Sequence, residues 1–599
     1  MFASHRKLLS CPLLPYTLWL AVCLTGCGGG SGSSPTPEPD PGPAIQNVLV
    51  YQDGIVDGRP MSLYLLNREG ETRRLSEDTG GGTVAYHVVS PDGKRVAYWY
   101  AQDDSELVLV LLELDSPLTS RTQVVNEGSF PGVGREEWLL WLPDSRRVLY
   151  SMAEPGGGYP TSLWLASEGE KSPVQLMAVA PGARAYLTYS ASADGRWAAV
   201  AVNYLGTEAC CIEESASLYL LDLENLGEPL LIDNASGNAN GFQFAWSPAG
   251  HELLYQRWLH SGVDSTSSGP LLLLGDDGRS RSLREGDIEQ GTRWLDAGRV
   301  MVALQTGFEV IATDGRLVAS HVGTITGAGM GSGVESVVAS PDGRWLGFVE
   351  WTTASDLEVY LLDLATSVTR IIGPASSLQI IWHNPIQLYD VSELHWSADG
   401  SWLAWDRQTR TPSEEWYVYA HSVSTAETRL VSKMAEFFDR GDYPWLPEGN
   451  VLEYRLRVTE SERLTYALVA EDLDSGQTLF AEPYPMPAFS VADPDSGEPV
   501  TEMPNNICER TWLGNMEILW NGCDTNVYLS RIAGETLGDT RLIARGTTPR
   551  FLTSSNHEIF LLSPAYVDGK YQMYDRPLDR LLKLEQTTDI SSWLYTMLM

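Results

Sequence analysis

Ser90-Pro91-Asp92-Gly93 runs straight into KRVAYWY (residues 94–100), a tight turn followed by an apolar, aromatic strand. Asp-Gly closes such a hairpin because glycine accepts positive φ and aspartate bonds the turn backbone. The pattern then recurs. Leu142-Pro143-Asp144-Ser145 precedes RRVLYSM, Ser192-Ala193-Asp194-Gly195 precedes RWAAVAV, and Ser247-Pro248-Ala249-Gly250 precedes HELLYQR. Asp296-Ala297-Gly298 precedes RVMVAL, and Ser340-Pro341-Asp342-Gly343 precedes RWLGFVEW. Ser397-Ala398-Asp399-Gly400 precedes SWLAWDR, and Leu446-Pro447-Glu448-Gly449 precedes NVLEYRL. Residues 92, 144, 194, 249, 296, 342, 399 and 448 are thus spaced by 52, 50, 55, 47, 46, 57 and 49. A fixed period of this size marks a repeat architecture.

Each unit has the same grammar. A short strand, ending in Trp141, Trp246 or Trp396, enters the turn, and an apolar strand leaves it. A variable loop follows, then a third strand such as SLYLLDL (217–223) or EVYLLDL (358–364), then a fourth such as TRLVS (428–432). Four antiparallel strands per unit predict an all-β chain of β-propeller blades, because one blade cannot bury both faces and a stack of them can. Ten to eleven blades are expected, with units one, ten and eleven degenerate. Unit one opens on VLVYQDG (48–54), which reads as a second strand, so its innermost strand is missing. SWLYTML (592–598) offers a replacement and predicts that the chain ends meet. Ordinary rings hold roughly 4–8 blades. Two propellers are therefore expected, residues 45–333 and 334–599, with the Gly-rich stretch Gly327–Gly333 as the crossover; one large ring is the alternative. The strand–SPDG–strand motif resembles the TolB-type, WD-like propeller repeats of bacteria, over nearly all of residues 45–599.

The 599 residues are 43% hydrophobic and 20% charged, a globular composition. Against 41 Lys and Arg stand 78 Asp and Glu, a net charge of −37. Such a chain repels phosphate backbones and anionic lipid headgroups, which excludes nucleic acid and a lipid surface as general partners.

The N-terminus reads as an export signal over residues 1–26. His5-Arg6-Lys7 is followed by a mostly apolar run, Leu8 to Leu24, interrupted by Pro12 and Pro15. Leu24-Thr25-Gly26-Cys27 resembles the bacterial lipobox, which implies cleavage before Cys27 and lipidation of its thiol. Gly28 after it resembles the sorting pattern of outer-membrane lipoproteins. The lipidated Cys27 and a Gly/Ser/Pro-rich linker make up residues 27–44, a tether that cannot bury a core. Cleavage would leave 39 basic and 78 acidic residues, a charge of −39. The expected address is the bacterial cell envelope, with the lipid anchor as the sole membrane attachment.

Four cysteines remain after Cys27. Cys508 and Cys523 flank a strand–turn–strand pattern and predict a disulfide in an oxidising compartment. Cys210 and Cys211 are adjacent; a strained vicinal disulfide, a free pair and a weak metal ligand set all stay open. The eight histidines after the signal are scattered and form no metal motif, and no G-x-S-x-G elbow occurs. Propellers of this kind resemble the non-catalytic half of prolyl-oligopeptidase enzymes, whose catalytic half has no counterpart here. The turns are not sialidase Asp-boxes, because Gly follows Asp directly. Asp493-Pro494-Asp495-Ser496-Gly497 and Asp472-Leu473-Asp474-Ser475-Gly476 lack a full calcium-loop set and read as ordinary turns. The abundant Trp and Tyr (20 and 26) read mainly as packing between blades. No catalytic residue, cofactor or metal is expected. The Asp-Gly turns and the loops joining second to third strands fall on opposite faces, and the latter vary most. The reading is a lipid-anchored, non-catalytic scaffold for an envelope protein or glycan. A propeller-type hydrolase or lyase with an acidic axial site is the alternative.

Overall fold

Gly195 follows its aspartate with φ +70°, and a Cβ there would lie 2.8 Å from Pro143 Cδ in the turn of the preceding unit. Positive φ and close approach to a neighbour both demand glycine. In the Leu142–Ser145 turn a serine takes the same left-handed conformation, at φ 57°. Inside each turn the hydroxyl and carboxylate do the bonding. Ser90 Oγ donates to Asp92 Oδ1 at 2.6 Å, which also accepts from Lys94 N at 3.1 Å, while Arg95 N donates to Ser90 Oγ at 3.0 Å. Ser192/Asp194, Ser340/Asp342 and Ser397/Asp399 repeat the bond at 2.5, 2.5 and 2.7 Å. Partial burial opposes ionisation of Asp399, but the bonds from Ser401, Ser397 and Asn450 outweigh it and hold the carboxyl at about 2.

The computed structural model describes strands and turns between Asn47 and Met597. Outside the description lie residues 1–46 and loops that include 54–61, 102–106, 127–138, 154–159, 206–212, 261–265, 324–333, 376–392, 410–414, 438–443, 565–571 and 584–594, with shorter stretches. Gly327–Gly333 falls among them. The described strands form twelve antiparallel sheets, with no helix among the described residues. Ten sheets have four strands, one has five and one has two. The eleven larger sheets are the blades. They run in chain order from Asn47–Arg74, blade one, to Thr547–Lys583, blade eleven.

Blade one is completed from the other end of the chain. Strand Asn47–Asp53 lies between Ser62–Asn67 and Tyr595–Met597, with Leu49 opposite Met597 and Tyr51 opposite Tyr595. Within the stretch expected at 592–598, Tyr595–Met597 therefore pairs with the first unit.

Blades pack through a repeated aromatic. Tyr98, Tyr150, Tyr255, Phe348, Trp405, Tyr454 and Trp520 occupy the second strands and face the preceding blade. Most of them rank among the largest fully buried side chains. First strands are stitched by indoles. Trp141 Nε1 donates to Val88 O at 2.9 Å, Trp246 to Ser190 O at 3.2 Å, and Trp294 to Ala245 O at 3.0 Å. Trp396 donates to Val338 O at 3.4 Å and Trp445 to His395 O at 3.1 Å. Each bond reaches the first strand of the blade before, so the tryptophan ahead of the turn serves packing and hydrogen bonding together.

These contacts run through both expected sets of blades and follow the alternative, one large ring. A sheet has two faces, and blades two to ten spend both on their sequence neighbours. Blades six and seven share Phe308, Val310, Phe348 and Tyr360, with Phe308 edge-on to Phe348 at 5.0 Å. The expected boundary at 333/334 thus falls inside a continuous core. Blade eleven closes on blade one, where Arg68 Nε and Nη2 meet Asp575 at 2.6 and 2.8 Å and Arg580 Nη1 meets Glu69 at 2.9 Å. One circuit of eleven blades results, within the single compact unit Ile45–Met599.

The two-stranded sheet departs from the repeat. Phe489–Ala492 pairs with Pro499–Glu502 as a hairpin between blades nine and ten. Arg545 fastens it, donating to Asp493 Oδ2 at 2.9 Å and Glu502 Oε1 at 2.6 Å. Asp493 opens the hairpin turn, where Oδ1 accepts from Ser496 N at 2.9 Å, as expected of an ordinary turn.

Candidate functional site

Two faces present themselves for function. The Asp-Gly face is knit together across blades. Asp92 N donates to Ser145 Oγ at 3.1 Å, Arg147 Nη2 to Gly195 O at 3.3 Å, and Asn450 Nδ2 to Asp399 Oδ2 at 3.2 Å. His251 Nδ1 lies 3.0 Å from Asp194 Oδ2. Arg95 Nε reaches Glu168 of the next blade's third-to-fourth turn at 3.1 Å, which places both turn types on one face, as expected. The polar groups there hold neighbouring blades in register. The second and third strands meet at the opposite face, and most of the loops that join them lie outside the described residues.

Of the residues singled out from sequence, Cys27, Cys210, Cys211 and Cys523 lie outside the described residues. Cys508 lies on strand Ile507–Trp512, at a register shift between Ile507, opposite Gly522, and Glu509, opposite Asn521. Its backbone carbonyl accepts from Arg455 Nη2 at 3.1 Å. Histidines are structural where they are described. Burial lowers His87 and His395 to about 4, and burial with the nearby Arg370 does the same to His421. His421 stays neutral, with Nδ1 2.8 Å from Thr428 Oγ1 and Nε2 3.3 Å from Arg370 Nη2. Among the described residues no group of three or more His, Cys, Asp or Glu could hold a metal ion.

Buried polar locks between blades had no motif in the sequence. Glu350, 1% exposed, meets His321 Nε2 at 2.6 Å inside the cage of Phe308, Phe348 and Tyr360. Arg510 and Trp512 of blade ten both donate to Glu453 of blade nine. Their only sequence signal is a charge inside an otherwise apolar second strand, as in GFVEW and VLEYRL. Such charges stay buried when they are paired.

Glu482 joins the same two blades through backbone. It accepts from Leu468 N at 2.8 Å and Ile507 N at 2.7 Å. Burial raises its carboxyl to about 7, against the opposing pull of those two amides and Arg455. The folded state therefore holds a proton that the unfolded chain releases above about 4.5. Stability is expected to fall by ~3 kcal/mol as pH rises through that window toward 7, and to level off above it. Denaturant titrations of the parent and Glu482→Gln across pH 4–8 check this. The variant, already neutral, should lack that part of the slope.

One cleft stands out among the described residues. It is an open cleft of about 480 Å³ between blades three and four, lined by Gln175–Ala180, Val202, Tyr204, Tyr219, Glu228 and Pro229. That volume is in the range of small-ligand and peptide sites.

No family model and no curated protein matches the chain. Solved structures give weak likenesses. A prolyl endopeptidase is 15% identical, covering 63% of this chain and 55% of its own, at a TM-score of 0.29. An oligogalacturonate lyase in complex with manganese is 14% identical, covering 72% and 98%, at 0.28. Oligopeptidase B from Trypanosoma brucei is 10% identical, covering 63% and 52%, at 0.29. The chain therefore matches only about half the length of the two peptidases. At these scores the likenesses carry no argument about activity, and the propeller assignment rests on the sheets themselves.

Proposed function

We propose that this chain is a lipid-anchored, non-catalytic β-propeller scaffold of the bacterial cell envelope, at the outer membrane, binding a protein or other ligand. The observation that carries the reading is the closed circuit of eleven blades. A frame locked at every blade junction can hold variable loops in fixed relation, which is how rigid scaffolds present binding surfaces. The Asp-Gly face spends its polar groups on that frame, which leaves the opposite face for a partner. The lipobox at Cys27 and the linker to residue 44 supply the tether. A charge of −39 after cleavage steers in partners with basic patches, with association slowing as salt screens the field.

Cys27→Ser is expected to release the protein from the membrane fraction or stall its processing. The same variant serves as bait in envelope extracts at low and high salt. Fractionation identical to the parent removes the lipoprotein reading. Turnover of peptide, ester or polysaccharide substrates without any captured partner removes the scaffold reading.

Export into an oxidising compartment also supports a Cys508–Cys523 disulfide. The residue before Cys523, Gly522, lies opposite the residue before Cys508, Ile507. Peptide mapping without reductant is expected to find the two cysteines linked. Recovery of both as alkylated thiols from freshly exported protein counts against the staple.

A further inference from the structure

The cleft between blades three and four has an unusual lining. Gln175, Leu176, Met177, Ala178, Val179 and Ala180 are consecutive. A strand face contributes only every second residue, because side chains alternate. Four consecutive strand residues, Gln175 to Ala178, with the two that follow, mean that the cleft runs along the edge of the strand, against its backbone. The strand concerned, Val174–Ala178, is the outermost of blade three, in the order fourth, third, second, first. Among the described residues no strand pairs with its outer side. Leu176 sits at a register shift against Leu163 and Trp164 and has no partner across the sheet.

The other wall is apolar and aromatic. Val202 and Tyr204 come from the second strand of blade four and Tyr219 from its third, on the face turned toward blade three. Glu228, exposed in the third-to-fourth turn, is the only charged residue of the lining, and no Lys or Arg accompanies it. Glu228 thus sets the sign of the lining, in a chain with almost twice as many acids as bases.

We propose that this cleft takes an extended, basic peptide segment of a protein partner, which adds to the outer edge of blade three as a further strand. Backbone hydrogen bonds to the edge supply the affinity, and alternate side chains fall on the Val202, Tyr204 and Tyr219 wall. A Lys or Arg stem covers apolar surface there while its charge meets a tyrosine face or Glu228. The inference rests on the scaffold reading and adds to its loop face a second contact, on the outer edge between blades three and four, with one partner chemistry.

The test uses the intact protein and the acetylated, fluorescent hexapeptide VKVRVK, read by anisotropy at low and high salt. Its companions are VEVEVE, VKVRVK with alternate backbone nitrogens methylated, and a linear glucan oligosaccharide as competitor. Binding of VKVRVK is expected, weaker by about threefold in Glu228→Lys at low salt, with the difference shrinking at high salt. Methylation should abolish binding, because it removes the peptide's strand-pairing donors while keeping its charge. Glu228 is exposed, so its replacement leaves the fold intact. Equal binding of the methylated or acidic peptide, no effect of Glu228→Lys, or displacement by the oligosaccharide overturns the proposal. Capture of an envelope partner by parent and Glu228→Lys alike, with no VKVRVK binding, sinks this site while leaving the scaffold reading in place.

Discussion

Asp575→Ala is expected to destabilise the protein by about 3–5 kcal/mol, the cost of breaking a buried ion pair from one side. Asp575 is fully buried and accepts from both Nε and Nη2 of Arg68, whose side chain is 16% exposed. Arg580 approaches the same carboxylate at 3.8 Å and donates to Arg68 O at 2.6 Å. Removing the carboxylate leaves two guanidinium groups facing each other at the junction where blade eleven meets blade one. The loss is not local to one blade, because this junction and the strand Tyr595–Met597 are what close the circuit. The denaturant midpoint and limited proteolysis check it. An early cut between blades eleven and one is expected, ahead of global unfolding. An unchanged midpoint would show that closure does not depend on this pair.

Trp405→Ala is expected to cost a similar ~3–5 kcal/mol through loss of burial and the cavity left behind. The indole is fully buried between blades seven and eight, stacked on Tyr419 at 5.7 Å, and donates to Pro374 O at 3.0 Å. The neighbouring blade is shaped around it. A Cβ on Gly373 would lie 2.8 Å from Trp405 Cζ2, so blade seven keeps a glycine where the ring needs space. Trp405→Phe should recover part of the packing while orphaning the Pro374 carbonyl. Near-UV circular dichroism and the thermal midpoint check both variants. Equal stability of parent and Trp405→Ala would remove the second-strand aromatic from its structural role.

The hairpin grammar was legible in the sequence because it is local. Asp92-Gly93 and its counterparts set turn conformation within four residues, and the apolar runs after them set strands within seven. Even the spare strand at 592–598 could be read, since a unit lacking one strand requires another. The abundance of tryptophan was read correctly as packing, but the direction of each indole to a carbonyl 49–58 residues back was not. The number of rings could not be read at all. Whether blade seven follows blade six or starts a second circuit depends on which sheet covers which face. Phe308, Phe348 and Tyr360 decide that only once they are packed together. The same holds for Glu350 with His321, for Glu453 with Arg510, and for Arg68 with Asp575, separated by 507 residues. Each reads alone as one more polar residue in a strand or turn. What the sequence by itself determined is therefore the blade, whose turns and strands form from neighbours along the chain. Tertiary structure alone decided the single circuit, its buried ionic locks and the open edge of blade three, because these arise from faces and edges that meet across blades.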